Sequence, residues 1–166
     1  MSTYVVGDIQ GCFDELSQLL SDINFAEQDQ LIVAGDLINQ GPKNLKTLEL
    51  LRNLPNVKCV LGNHDLHFLA VAKGLKKVSR SDTFQDLLDD EDLTQQMEWL
   101  RQHPLLIELP EFNAVVVHAG IPHTWGFNQA KGYAKEVEQV LQSSRIEEFL
   151  DAMYGDTPVR FSEDLT

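Results

Sequence analysis

Four short polar motifs, each following an apolar run, gather the residues able to do chemistry: GDIQG at 7–11, GDLINQG at 35–41, GNHD at 62–65 and HAG at 118–120. They supply the carboxylates of Asp8 and Asp36, the amides of Gln10 and Asn63 and the imidazole of His118. A carboxylate ending an apolar strand is costly to shield from water unless something positive meets it. Mixed oxygen and nitrogen donors suit Mn²⁺, Fe²⁺, Co²⁺ or Zn²⁺ better than a thiolate-seeking ion. Two such ions about 3.5 to 4 Å apart would activate a water as hydroxide and clamp a phosphoryl group at once. Asp36 is the expected bridge between them. His64, beside a ligand and not itself needed for the metal, is the expected general acid for the leaving oxygen.

These motifs must be positioned by the elements around them. Three apolar runs, 3–8, 31–36 and 57–63, are separated by stretches with helical spacing. Phe13, Leu16, Leu19, Leu20 and Ile23 share one face of a helix expected over 13–23, and Leu45, Leu48, Leu51 and Leu54 share one over 43–54, with Pro42 suiting its start. Strand and helix alternating at this rhythm predict a βαβαβ unit with parallel strands. Ligands in such sheets bind beyond the carboxyl ends of the strands, which is where Asp8, Asp36, Asn63 and His64 fall. A further run at 114–120, after LLIEL at 105–109, predicts a hairpin, and His118 joins the others if its strand runs the same way or its sheet abuts.

Between them, the acidic segment at about 65–102 is expected to form a helical cap insertion, with Asp82 and Thr83 capping FQDLLDD and Asp92 opening a helix through QQMEWLRQ. Helices are also expected over 128–142 and 146–153. The one basic cluster, KGLKKVSR at 73–80, reads as a solvated loop.

Composition narrows the function classes. The chain has 166 residues, enough for one sizeable core, and a formal net charge of -13. That sign disfavours general nucleic-acid binding by counterion release, but bound cations can reverse the local field toward a phosphate compound. No apolar run reaches the length of a membrane span and the N-terminus lacks a signal pattern, so no membrane partner and a cytoplasmic location are expected. Cys12 and Cys59 form no CxxC pair and are expected as reduced thiols.

Plainer roles compete for each residue. Asp8 or Asp36 alone would more often cap a following helix, and His118 alone would more often be a hydrogen-bonded core histidine. The order of all four motifs overrides those readings. Asp65, His67, His103 and His123 are left to structure, with Asp65 capping the helix that begins LHFL. Trp99 and Trp125 are assigned to packing.

At its four motifs the chain resembles the phosphoprotein-phosphatase-type metallophosphoesterases, whose signature runs GDxHG, GDxxDRG, GNH[ED], HAG and a later GH. Within them it is most similar to the bacterial symmetrical diadenosine tetraphosphate hydrolases, through GDIQGC, GDL followed by GP, VLGNHDLH, and FLDAMYGDTP at 149–158. The resemblance implies a calcineurin-like α/β (α+β) fold, two mixed sheets flanked by helices, with the chain as the N-terminal portion of one domain. It implies two divalent ions, Mn²⁺ or Co²⁺, one held by Asp8, Gln10 and Asp36, the other by Asp36, Asn63, His118 and a later histidine. His64 becomes the catalytic acid, Asn63 and position 40 the phosphate contacts, and a dinucleoside polyphosphate the substrate.

The chain departs from that pattern in three places. Gln10 stands where most of the superfamily has His. Asn39 and Gln40 stand where it has Asp and Arg, and Gln40 offers phosphate one neutral amide in place of a charged fork. No histidine follows His123, so the last metal ligand is missing, and a fragment of a longer protein, truncated at the C-terminus, is expected.

Overall fold

The computed structural model describes residues 1–155. Its first half is the expected unit: β1 (Thr3–Val6), α1 (Phe13–Asp22), β2 (Gln30–Val33), α2 (Asn44–Asn53) and β3 (Val57–Cys59). β1 pairs in parallel with β2, and β2 with β3. The strands stop earlier than the apolar runs do, so GDIQG, GDLINQG and GNHD lie in the loops beyond their carboxyl ends.

Helical spacing places the core. Leu16 and Leu20 of α1 and Leu48 and Leu51 of α2 are buried, whereas Leu19 is exposed at the margin of the apolar stripe. Each fully buried leucine contributes roughly 1.5 to 3 kcal/mol relative to leaving it in water. The same core takes in Phe68, Phe84, Leu87 and Leu100 from the segment at 65–102, which carries most of α3 (Asn63–Ala72), α4 (Gln85–Leu88) and α5 (Leu93–Leu100). Leu141, Ile146 and Leu150 close it from α6 (Phe127–Leu141) and α7 (Ile146–Ala152).

The hairpin forms a second sheet, β4 (Leu106–Leu109) antiparallel to β5 (Ala114–Val117), joined through a 3-10 turn at Pro110–Phe112 and Asn113 in the left-handed region. It docks on the first sheet through a smaller apolar cluster of Ile32, Val60, Ile107, Leu109 and Val116. The Leu61 N–H donates to the Pro104 carbonyl at 2.9 Å, tying the end of β3 to the start of the hairpin. His118 therefore reaches the strand ends from an abutting sheet, the second of the two expected arrangements.

Two capping assignments differ from expectation. Neither Asp82 nor Thr83 caps α4, which starts without a side-chain cap. The Asp82 carboxylate instead accepts from Ser79, His67 and Asn39, and Thr83 Oγ1 donates to the Gly41 carbonyl. Asp92 flanks α5 but makes no capping bond. Both cysteines are free, and burial pushes the Cys59 thiol up to about 12. Residues 73–80 are largely exposed, and no helix among the described residues is long and apolar enough to cross a membrane. The FLDAMYGDTP stretch runs past the described residues, so Asp156, Thr157 and Pro158 lie outside them.

Candidate metal centre

The loops that carry the site are tied to one another by backbone bonds. Gln10 N–H donates to the Asp36 carbonyl at 2.8 Å, Gly11 N–H to the Leu37 carbonyl at 3.0 Å, and Gly41 N–H to the Gln10 carbonyl at 2.7 Å. Gln10, Asp36, Asn39 and Gln40 all have positive φ, between 49° and 77°. Non-glycine residues rarely hold that conformation, and their clustering here is strain that the interlocked loops sustain.

Asp8, Asp36 and His118 bring one ligand atom each to within 4.8 Å of one another. Asp36 is 3% exposed, so its charge needs a local partner, while Asp8 is open to solvent. His118 Nδ1 lies 2.9 Å from the Ala34 carbonyl, which can only accept; the neutral ring therefore carries its proton on Nδ1 and turns a lone pair outward at Nε2. That lone pair faces Asn63 Oδ1 at 3.2 Å and Asp36 Oδ2 at 3.5 Å. A ring nitrogen, an amide oxygen and a carboxylate that all accept and converge on one point fit a cation. An imidazole that donates its other N–H to a backbone carbonyl is the usual supported metal ligand.

Gln10 is half-buried at the β1 end of this group, its main chain fixed by the bonds above. Asn63 opens α3. The His64 N–H donates to Asp36 Oδ1 at 3.0 Å, and His64 Nε2 lies 3.9 Å from Asp36 Oδ2. Gln40 is exposed and lines, with Asn63 and His64, a cavity of about 530 Å³ that also touches His67, Asp82 and Tyr154.

Residues to which the sequence reading gave no metal or catalytic role hold this arrangement. Asp65, fully buried, accepts from the Leu37 N–H at 2.9 Å and from the Gly62 N–H at 2.8 Å, so it braces the start of α3 and also clamps the Asp36 loop. Burial pushes its carboxyl up to about 7, with the nearby Asp36 charge adding to the shift. Asn39, 1% exposed, bonds to His64 and Asp82. His67 joins Asp82 to the Tyr154 hydroxyl. Proximity in sequence marks Asp65, whose spacing from Gly62 is that of a capping residue, and Asn39, which lies in the same motif as Asp36; His67 and Asp82 carry no such signal.

An α/β fold that gathers two carboxylates and a carbonyl-anchored imidazole beyond its strand ends defines a class of oxygen- and nitrogen-ligated metal centre. The chain belongs to the calcineurin-like phosphoesterases, whose family model matches residues 1–161. It is 48% identical over its whole length to the symmetrical bis(5'-nucleosyl)-tetraphosphatase of a Marinomonas species, covering 61% of that protein. It is 46% identical to that of Psychromonas ingrahamii, with 98% of this chain and 60% of the relative covered. A crystal structure of a proposed diadenosine tetraphosphatase superposes with a TM-score of 0.63 at 32% identity, over 76% of this chain and 54% of that one. The chain thus spans about 60% of the length of the curated relatives it matches.

Proposed function

We propose that this chain carries the site for symmetrical hydrolysis of diadenosine 5',5'''-P1,P4-tetraphosphate to two molecules of ADP. The observation that carries this reading is the convergence of Asp8, Asp36 and the His118 Nε2 lone pair beyond the strand ends, with His64 alongside. The relatives named as symmetrical bis(5'-nucleosyl)-tetraphosphatases support the choice of substrate.

In this reading Asp8, Gln10 and Asp36 hold one divalent ion and Asp36, Asn63 and His118 the other, with Mn²⁺ or Co²⁺ as the working ions. When bound, the ions supply the charge that acidifies the attacking water and neutralises the phosphates. The protein's own residues do the rest. The interlocked strand-end loops hold the carboxylates in place before substrate arrives, so little reorganisation is spent at the reaction step. His64 donates a proton from Nε2 to the oxygen of the departing ADP. Asn63 and Gln40 contact phosphate from the cavity they share with His64. We read the segment at about 65–102 as a helical insertion of one domain, placing His67 and Asp82 beside that cavity, and the protein as cytoplasmic.

The test is ADP release from diadenosine tetraphosphate by the 166-residue chain with added Mn²⁺ or Co²⁺, beside Asp36→Asn. ADP from the chain and none from the variant is the expected result. A folded, metal-loaded chain that releases no ADP would overturn the reading and leave a relative that binds without turnover.

A further inference from the structure

We propose that Arg80 is a specificity-determining residue which, from the corner of the turn at 79–82, binds the ribose-linked phosphate of the departing ADP. The inference deepens the proposed function and rests on it, since that reading puts the departing half of the substrate in the cavity beside His64.

The turn is built against the loop that carries Gln40. The Asp82 N–H donates to the Ser79 carbonyl at 3.3 Å and closes the turn, while the Ser81 N–H donates to Ser79 Oγ at 3.2 Å. Its far end is fastened across some forty residues of sequence. Asn39 Nδ2 donates to Asp82 Oδ1 at 3.1 Å, the Thr83 N–H to Asn39 Oδ1 at 3.0 Å, and Thr83 Oγ1 to the Gly41 carbonyl at 2.7 Å. Ser79, Ser81 and Asp82 consequently line the cavity of about 530 Å³ together with Gln40 and His64. Arg80 stands between the two lining serines, at the exposed corner.

The charge at that corner is free. The chain has 13 lysines and arginines against 26 aspartates and glutamates, so most cations have a carboxylate to meet. Within the basic segment at 73–80, Lys73 pairs with Glu147 at 3.3 Å and Lys76 with Asp151 at 3.6 Å. Lys77 and Arg80 are exposed and have no ion pair among the described residues. No lysine or arginine among the described residues lines the cavity itself, and its one carboxylate, Asp82, turns its oxygens to Asn39, His67 and the Ser79 N–H.

A tetraphosphate chain needs more positive charge than the strand-end site supplies. Ions held there meet the phosphates on either side of the bond that breaks, whereas the ribose-linked phosphates lie one bridge further out. Gln40 and the serines offer those phosphates only neutral donors. A guanidinium is always charged and matches a phosphate through two parallel N–H bonds. Arg80 is the cation whose neighbours on both sides line the cavity; Lys77 lies outside the turn.

The test measures binding and turnover separately on the full chain with Mn²⁺. Arg80→Gln removes the charge at an exposed corner, so the midpoint of denaturant unfolding should match the parent's. Its Kd for ADP, followed by calorimetric titration, is expected to rise roughly tenfold, the low end for a charge-assisted bond because solvent screens the corner. KM for diadenosine tetraphosphate should rise with it, and by a larger factor than kcat falls, because the contact lies away from the bond broken. Lys77→Gln removes an equal charge three residues away and should stay within about twofold of the parent. An Arg80→Gln chain that binds ADP as the parent does, a parent that binds none, or an equal loss in Lys77→Gln, the mark of a diffuse field, would overturn the proposal. Absence of ADP release from a parent whose ADP affinity does fall in Arg80→Gln would defeat the proposed function alone, since the titration does not depend on turnover.

Discussion

Gly62 packs so closely on the Asp36 carboxylate that a methyl group added at its Cα would overlap both Asp36 Oδ1 and the Asp36 backbone nitrogen. The start of α3 can come this close to Asp36, in the candidate metal centre, only because this position has no side chain. Gly62→Ala is therefore expected to push Asp36 out of line, with destabilisation of about 1 to 3 kcal/mol from the overpacking. Affinity for Mn²⁺, followed by calorimetric titration, should fall at least about tenfold, the equivalent of roughly 1.4 kcal/mol. An alanine variant that binds Mn²⁺ as the parent does would show that the contact relaxes at no cost to the site.

Gln40 sits exposed at the mouth of the cavity beside His64, in a loop where the resembling superfamily carries arginine. A guanidinium grips a phosphoryl group through two charged bonds, and a carboxamide does not. Gln40→Arg is expected to raise the turnover of ADP release, on the order of 10²-fold, by analogy with restoring one donor at a developing negative charge. Unchanged or lower turnover in a folded variant would place the phosphates elsewhere.

His103 gives a pH signature remote from the centre. Its Nε2 is sealed from solvent with no hydrogen-bond partner among the described residues, and its ring meets the edge of Trp99 at 4.3 Å between centroids. Burial lowers its pKa to about 4 from 6.5. The unfolded chain then binds the proton more readily than the folded one between these values, so stability rises with pH across the window. The contribution is complete above pH 6.5 and is lost as the pH falls toward 4, amounting to about 3 kcal/mol. Denaturant unfolding at a series of pH values should show that slope flattened in His103→Leu; an identical slope in the variant would assign the acid sensitivity to other groups.

What could be read from the sequence follows physical range. β1, α1, β2, α2 and β3 are legible because apolar periodicity is local, and the helix ends fall within a residue of expectation. The strands are shorter than their apolar runs because Ala34, Val60 and Leu61 pack in the loops, where alternation carries no signal. The choice between a continuous sheet and an abutting one for His118 was not legible. It depends on Ile32, Val60, Ile107, Leu109 and Val116 meeting across the two sheets, and no spacing within either records it. Asp82 and Thr83 misled as helix caps because an Asp-Thr pair before an apolar stretch has the composition of a cap, while its real partners, Asn39 and Gly41, lie some forty residues upstream. The positive φ angles at Gln10, Asp36, Asn39 and Gln40 were equally hidden, since none of the four is glycine.

The docking of the hairpin on the parallel sheet also orders events in time. Asp8 and Asp36 belong to the unit made first, whereas His118 arrives about 110 residues after Asp8 and on the other sheet. A nascent chain that has folded only its βαβαβ portion holds both carboxylates but not the imidazole. If these three are the donors of the proposed site, capture of a divalent ion by all of them would be a late event, one that reports the closing of the two sheets on each other, and a chain stalled before β5 would have no complete trap in which to sequester an ion.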